Sequence, residues 1–302
     1  MLLLLLVGFS AGASAQQPLG GYAGPLTVAP GQLVTVYVSD FAASAELPAR
    51  ASALPLPRQI QAGDGSVGVI SVRGGFNDLL PILKAVRTSP NQVALTVQIP
   101  FGSFSSPRPP IWLTAIHSSP GISASALCRH FVSECSGRLW LSVRRSALHV
   151  LRSCDGILDQ PTSVIPCDAL VTRRDGSLIT EQAPVRFGED LTAWAVGLGE
   201  PSQSGPLPPP AGARIDGVKV AFGFCDPGAK PPPLDSREVP YAGLVDADVG
   251  LYQINFTVPP STEADPACAS EARAPSRLQV AFGRILDDST DSYDSVLLPF
   301  RE

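Results

Sequence analysis

The feature that most constrains this chain is an internal repeat of two strand-like segments. The segment 30–41 (PGQLVTVYVSDF) is matched by 187–198 (FGEDLTAWAVGL), 157 positions further on (187 minus 30). The segment 93–100 (VALTVQIP) is matched by 252–259 (YQINFTVP), 159 positions further on (252 minus 93). Two matches at nearly one offset indicate a duplication, so we expect two copies of one fold.

The repeated segments alternate apolar and polar residues, which is the pattern of a half-buried β-strand. In the second copy, the face that packs on a core should carry Tyr252, Ile254, Phe256 and Val258. The polar residues between them should face away. A third, looser match sets 139–143 (LWLSV) against 278–282 (LQVAF) as late strands of the two copies.

The composition between these segments favours turns over helices. The chain has 31 Pro and 27 Gly, and the strand-like runs are separated by turn residues without helical periodicity. We therefore expect an all-β fold, with two tandem immunoglobulin-like β-sandwich domains that follow a signal peptide.

The N-terminus indicates export. The apolar run 2–9 is followed by small residues that end in Ala13-Ser14-Ala15, which is typical of a signal peptide cleaved before Gln16, although no basic residue precedes the run. A membrane-spanning helix needs about 20 apolar residues, so we expect no transmembrane span and a secreted, cell-surface or periplasmic location. The predicted organisation is signal peptide 1–15, first (degenerate) domain 16–154, linker 155–167 and second domain 168–302.

Two groups of motifs carry a resemblance to a known family. The first is 175–180 (DGSLIT) with Gly188-Glu189 and 197–199 (GLG), and the second is 241–244 (YAGL) with 250–255 (GLYQIN). In this order they resemble an uncharacterised C-terminal domain family of Solibacter-type acidobacterial secreted proteins. The resemblance implies a bacterial source and an immunoglobulin-type sandwich, and it implies no particular activity.

Six cysteines in an exported chain favour disulfide bonds. They are Cys128, Cys135, Cys154, Cys167, Cys225 and Cys268. None forms the C-x-x-C spacing typical of zinc sites. Cys225 and Cys268 have only each other in the second copy. The other four allow three connectivities, of which nearness in sequence favours Cys128–Cys135 with Cys154–Cys167.

The chain has no motif that predicts catalysis or a cofactor. A serine hydrolase elbow (G-x-S-x-G) and a zinc motif (H-E-x-x-H) are both absent from the sequence. One acidic stretch could offer oxygen ligands to calcium, through Asp287, Asp288, Asp291 and Asp294. Asp and Ser also favour turns, so this stretch is more typical of a hairpin between 280–282 and 296–298.

Three tryptophans are candidates for a ligand platform. Trp112 follows a proline-rich run and is the candidate for an exposed ligand-binding residue. Trp140 and Trp194 lie within alternating strands, and we expect both to pack in cores.

These observations favour a non-catalytic exported module with a structural, adhesive or protein-interaction role. The expected partner is an unknown protein or glycan at the cell surface. Nucleic acid is not expected, because the net charge is −5 and no basic block is present. Two alternatives stay open: a carbohydrate-binding module, and a hydrolase whose site is assembled from loops.

Overall fold

The structure of the chain is a computed structural model. The described residues are 26–39, 56–62, 65–73, 76–89, 92–101, 111–118, 136–155, 167–200, 212–223, 237–245, 250–260, 277–286 and 289–301. Every regular element among them is a β-strand, so the fold is all-β, as predicted. Within these ranges, no helix is long and apolar enough to cross a membrane.

The strands fall into two halves along the chain. The N-terminal half contains β1 (Leu26–Val28), β2 (Leu33–Ser39), β3 (Ile60–Ala62), β4 (Gly65–Arg73), β5 (Phe76–Leu79), β6 (Ile82–Ser89), β7 (Gln92–Gln98), β8 (Ile111–Ser118) and β9 (Ser136–Val143). The C-terminal half contains β10 (His149–Val150), β11 (Val171–Arg173), β12 (Asp190–Val196), β13 (Val218–Gly223), β14 (Arg237–Glu238), β15 (Tyr241–Leu244), β16 (Tyr252–Thr257), β17 (Arg277–Leu286) and β18 (Ser289–Pro299).

Each half contains two sheets. In the N-terminal half, one sheet has the order β1-β9-β8-β4-β3 with β5 also on β4, and the other has the order β2-β7-β6. In the C-terminal half, one sheet has the order β14-β13-β17-β18, and the other has the order β10-β12-β16-β15 with β11 also on β12. The arrangement is sandwich-like.

The repeat in the sequence corresponds to a repeat in strand pairing. β2 pairs antiparallel with β7, and Leu33 lies opposite Gln98. β12 pairs antiparallel with β16, and Asp190 lies opposite Thr257. Each pair is related to the other by the offsets of 157 and 159 that the sequence shows (190 minus 33, 257 minus 98). The two halves therefore share one strand register as well as one pattern.

The turn that precedes this strand pair is also repeated. Gly31 N donates to Ile99 O at 2.7 Å, and Gly188 N donates to Val258 O at 3.0 Å. Both glycines have positive φ angles, 80° and 75°, which side chains rarely adopt. The reverse bonds match as well: Ile99 N to Gln32 O at 2.9 Å, and Val258 N to Glu189 O at 2.9 Å.

A third correspondence corrects the looser sequence match. β1 runs parallel to β9, with Val28 opposite Val143, and Val185 forms a parallel bridge with Phe300. Both pairs differ by 157 positions (185 minus 28, 300 minus 143). β9 therefore corresponds to β18, and the predicted match of 139–143 with 278–282 in β17 is wrong. Both β17 and β18 alternate apolar residues, so the pattern alone could not choose between them.

The core of the C-terminal half lies between its two sheets. The predicted inward face is confirmed: Tyr252, Ile254, Phe256 and Val258 are all buried. Their polar neighbours are partly or fully exposed. Phe256 of one sheet meets Phe282 of the other in an edge-to-face contact, with ring centroids 5.1 Å apart. Aromatic pairs in this geometry contribute about 0.5 to 1.5 kcal/mol beyond their buried area.

One strand lies on the far side of a predicted boundary. His149–Val150 belongs to the predicted first domain, but this segment is β10 and pairs with β12 of the C-terminal half. Leu148 and Val150 belong to the core cluster of that half. The division of the chain into two independent domains stays a prediction, and these contacts define which residues a C-terminal fragment would need.

Candidate functional site

The connection between the two halves, residues 144–155, is built into the C-terminal half. On one side, the backbone of β10 pairs with β12. On the other side, side chains of β18 serve as its hydrogen-bonding partners. Ser292 Oγ accepts a hydrogen bond from Leu148 N at 3.2 Å, and Asp294 Oδ2 accepts one from Val150 N at 2.8 Å. β10 is therefore held from both sides.

Four charged side chains meet beside this strand: His149, Arg152, Asp155 and Asp294. Nε2 of His149 lies 2.9 Å from Oδ2 of Asp155, and Nδ1 lies 3.3 Å from Oδ2 of Asp294. Nη2 of Arg152 lies 3.2 Å from Oδ1 of Asp294. The backbone N–H of Arg152 also donates to Asp155 at 2.7 Å. We call these four residues the charge cluster.

The charge cluster favours a protonated histidine. Burial by itself would lower the pKa of His149, but its hydrogen bonds to Asp155 and Asp294 outweigh this and raise the pKa to about 9. Burial would raise the pKa of Asp294, but the hydrogen bond from His149 and the charge of Arg152 lower it. The opposite charges of these side chains offset the cost of burying each one.

Protonation decides what His149 can do chemically. The general base of a serine hydrolase needs a neutral ring with a free lone pair. In His149 both nitrogens face carboxylates, and the hydrogen bonds to them raise the pKa of the ring to about 9. Arg152 Nη1 lies 3.3 Å from Nδ1, and Nη2 of the same guanidinium pairs with Asp294 at 3.2 Å. Through Asp294, the cluster attaches His149 and Arg152 to β18.

A disulfide follows the charge cluster. Cys154 and Cys167 are bonded, with their Cα atoms 5.5 Å apart, which is the pairing that nearness in sequence favours. Ser153 N donates to Asp168 O at 2.8 Å, so the chain also closes through its backbone. Four cysteines lie outside the described residues, and their pairing stays a prediction: Cys128, Cys135, Cys225 and Cys268.

The predicted calcium ligands are only partly described. β17 and β18 form the predicted hairpin, and their pairing extends to Leu286 opposite Ser289. Asp294 accepts hydrogen bonds and ion pairs from the charge cluster and from Ser295 N at 2.8 Å. Its oxygens therefore already have partners. Three residues lie outside the described part or are described only by their backbone, and calcium binding there stays a prediction: Asp287, Asp288 and Asp291.

Among the described side chains, no group of three or more His, Cys, Asp and Glu could hold a metal ion.

Trp194 corrects the expectation for a core tryptophan. Its strand buries Leu191, Ala193 and Ala195, whereas Trp194 points to the opposite face and is partly exposed. Nε1 of the indole donates to Thr172 Oγ1 at 3.2 Å, which fixes the ring on the outside of the sheet. The alternation of the strand indicates this outward orientation, because Trp194 lies an even number of residues from the exposed Asp190.

The other two tryptophans are described only by their backbones. Trp112 lies in β8 opposite Trp140 of β9. The ligand-binding hypothesis for Trp112 and the core position predicted for Trp140 stay predictions.

No protein-family model matches the chain, and no curated protein matches it at a significant level. The resemblance to the Solibacter-type domain family therefore stays a prediction.

Proposed function

We propose that this chain is an exported, non-catalytic pair of immunoglobulin-like sandwiches with a structural, adhesive or protein-interaction role at the cell surface or outside the cell. Three features support the proposal. They are the strand order of each half, the way in which the halves are joined, and the raised pKa of the buried His149.

The strand order supports the immunoglobulin-like assignment. In such sandwiches the last strands form one sheet with the middle strands, and an early strand pairs with a later one in the opposite sheet. Here β9, β8 and β4 are neighbours in one sheet, and β2 pairs with β7 in the other. The C-terminal half repeats this with β18, β17 and β13, and with β12 on β16.

The buried connection is the observation that carries the structural role. A flexible linker between domains is exposed and makes few contacts. The segment 146–151 is instead buried throughout, and the charge cluster attaches its end to β18. This supports a fixed arrangement of the two halves, as a spacer or scaffold requires.

A second contact supports the same arrangement. The repeated turn of the N-terminal half lies against Gly197 and Gly250 of the C-terminal half. A Cβ on Gly250 would lie 2.6 Å from Gly31 O and 2.9 Å from Leu33 Cγ, and one on Gly197 would lie 3.0 Å from Gln32 Oε1. The close approach of the Gly31 backbone to Gly250 leaves no room for a side chain and needs glycine at position 250.

A buried arginine holds the loop that faces the connection. Arg284 Nη2 donates to Glu200 O at 2.7 Å, and Nη1 donates to Leu198 O. Tyr252 Oη donates to Gly199 O at 2.9 Å. A Cβ on Gly199 would clash with Arg145 O of the connection. Three successive carbonyls are therefore fixed from inside the core, which supports a rigid junction.

The proposal is tested by backbone ¹⁵N relaxation of the mature chain. We expect amides of both halves to report one overall tumbling time. Asp294→Ala removes the carboxylate shared by His149 and Arg152. In this variant, we expect the two halves to have different tumbling times. Asp190→Ala removes an exposed carboxylate of the same half and is the matched control. Two different tumbling times in the unmodified protein would contradict a fixed arrangement.

Export and the lack of catalysis are tested separately. Expression with the first 15 residues should give a protein outside the cytoplasm whose N-terminus is Gln16. Screening of the purified protein against ester, peptide and glycoside substrates should give no turnover. Turnover that is lost with a single substitution would contradict the non-catalytic role.

A further inference from the structure

The outer face of the sheet β12-β16-β15 carries a row of planar side chains. Trp194 lies opposite Gln253 on the neighbouring strand, and Gln253 lies opposite Gly243 on the next. Gly243 forms a bridge with Arg214. Residues directly opposite one another point to the same face. Indole, amide and guanidinium groups therefore follow one line across the sheet.

The gap at Gly243 is filled by a phenol ring. A Cβ on Gly243 would lie 2.7 Å from Cζ of Tyr241 and would clash with its hydroxyl. The Tyr241 ring therefore lies across Gly243, and its hydroxyl donates to Gly212 O at 3.3 Å. We call Trp194, Gln253, Tyr241 and Arg214 the planar row.

Hydrogen bonds on the same face fix the orientation of these groups. Trp194 Nε1 donates to Thr172 Oγ1 at 3.2 Å. Thr192 Oγ1 donates to Asn255 Oδ1 at 3.0 Å, and Gln253 Nε2 approaches the same oxygen at 3.4 Å. A surface whose side chains are already oriented loses less entropy when a ligand binds.

The planar row has one charge, and it is positive. Arg214 is exposed; its Nη2 donates to Pro240 O at 3.0 Å, and its Cζ lies 5.5 Å from the centre of the Tyr241 ring. Among the described ion pairs, none involves Arg214. A guanidinium binds a carboxylate through two parallel hydrogen bonds, so an anionic group on a ligand would complement this end of the row.

We propose that the planar row binds a saccharide that carries a uronic acid carboxylate. The apolar faces of sugar rings pack on Trp194 and Tyr241. Between these rings, the amide of Gln253 forms hydrogen bonds with sugar hydroxyl groups, and Arg214 binds the carboxylate. This binding activity does not depend on the proposed structural role, and the surface is a different one from that of Trp112.

Charge favours this ligand over nucleic acid, which also stacks on aromatic rings. Binding to a phosphate backbone uses several Lys or Arg side chains, whereas Arg214 is the one cation of the planar row. A protein partner at this face would give no binding to isolated saccharides, and the experiment separates it on that basis.

The test is affinity electrophoresis of the full mature chain at physiological salt. The gels contain polygalacturonate, alginate or hyaluronan, and carboxyl-reduced polygalacturonate serves as the matched neutral polymer. We expect retardation by at least one uronate polymer. Binding to it should weaken at least tenfold in Arg214→Gln, and at least tenfold in Trp194→Ala and Tyr241→Ala. Arg174→Gln, an exposed arginine of the same half, should bind as the unmodified protein does.

The neutral polymer isolates the role of the carboxylate. Reduction of the polymer should weaken binding about as much as Arg214→Gln does, and the two changes together should add nothing further. Circular dichroism checks the fold of each variant, and Arg214→Gln decides the outcome if Trp194→Ala fails to fold. Absence of retardation by all three uronate polymers, or equal binding to the acidic and the reduced polymer, would overturn the proposal.

Discussion

The repeated turn has the same hydrogen bonds in both halves but lies in opposite environments. Ala29 N donates to Gln32 Oε1 at 2.8 Å, and Arg186 N donates to Glu189 Oε2 at 3.0 Å. Gln32 is fully buried, with 0% of its surface exposed, whereas Glu189 is partly exposed and pairs with Arg173 at 3.3 Å. The turn needs a side-chain oxygen, and burial decides whether that oxygen belongs to a neutral amide or to a carboxylate.

The halves also differ at their last strands. Asp294 of β18 holds β10 through the charge cluster. The position 157 residues earlier (294 minus 157) is Gly137 in β9, which has no side chain to do so. Of these two equivalent positions, only Asp294 thus provides an attachment site for the chain that precedes its half.

The largest expected effect compares the two cores. Phe256→Ala should lower the free energy of unfolding by about 3 to 5 kcal/mol, because it leaves a cavity beside Phe282. Val97→Ala, at the equivalent buried position of the N-terminal half, should cost about 2 kcal/mol because fewer atoms are lost. Thr257→Ala on the exposed face should change stability by less than about 0.5 kcal/mol. Urea unfolding measures all three, and equal losses for Phe256 and Thr257 would contradict the assigned faces.

The next effect tests the charge cluster through pH. The folded pKa of His149, about 9, lies above the reference value of 6.5. The contribution of His149 to the free energy of unfolding is therefore fully present below pH 6.5, and it is lost as the pH rises towards 9. The difference between the folded and the reference pKa corresponds to about 3 kcal/mol of stability. His149→Asn should remove this pH dependence of the unfolding free energy; an unchanged profile in that variant would contradict the assignment.

A smaller effect exchanges the two turn residues. Gln32→Glu should destabilise the protein by about 2 kcal/mol at pH 7, because it places a carboxylate in a buried site. The loss should shrink as the pH falls towards 4, since burial raises the pKa of the introduced group and the protonated form can still accept from Ala29 N. Glu189→Gln should cost less than about 0.5 kcal/mol. Equal losses from the two exchanges would remove the contrast between the environments.

The smallest effect compares one cross-strand hydrogen bond in both halves. Thr35 Oγ1 and Thr96 Oγ1 are buried and 3.0 Å apart, and at the equivalent positions Thr192 donates to Asn255 at 3.0 Å. Thr35→Val should cost about 1 kcal/mol, because Thr96 loses a buried partner. Thr192→Val should cost about half as much, because water can replace the bond on a partly exposed face. Thermal melts of the two variants check the order.

Local pattern was sufficient for part of the fold. Alternation predicted the buried face of β16 and the all-β class, because one residue in two must face the core in a strand. The two closer repeat matches predicted that β2 and β7 correspond to β12 and β16, and the register of the two strand pairs agrees with it.

The remaining features depend on residues far apart in sequence. Arg152 and Asp294 are separated by 142 positions, so the charge cluster leaves no spacing motif. β17 and β18 have similar patterns, and they are distinguished by the order of the strands in the sheet and by the parallel bridge of Val185 with Phe300. The face of Trp194 was readable from its alternation, but the size of the side chain favoured the core interpretation.

The central claim is that the C-terminal half begins with the buried connection, so that its own sandwich includes β10. Thermal melts of fragments 144–302 and 168–302 test this most directly, together with a long fragment in which Cys154 and Cys167 are both replaced by Ala to separate the disulfide from the strand. We expect both long fragments to melt cooperatively, and the short one to melt more than about 10 °C lower because it lacks β10 and the charge cluster. Equal melting temperatures for the short fragment and the cysteine-free long fragment would contradict the claim.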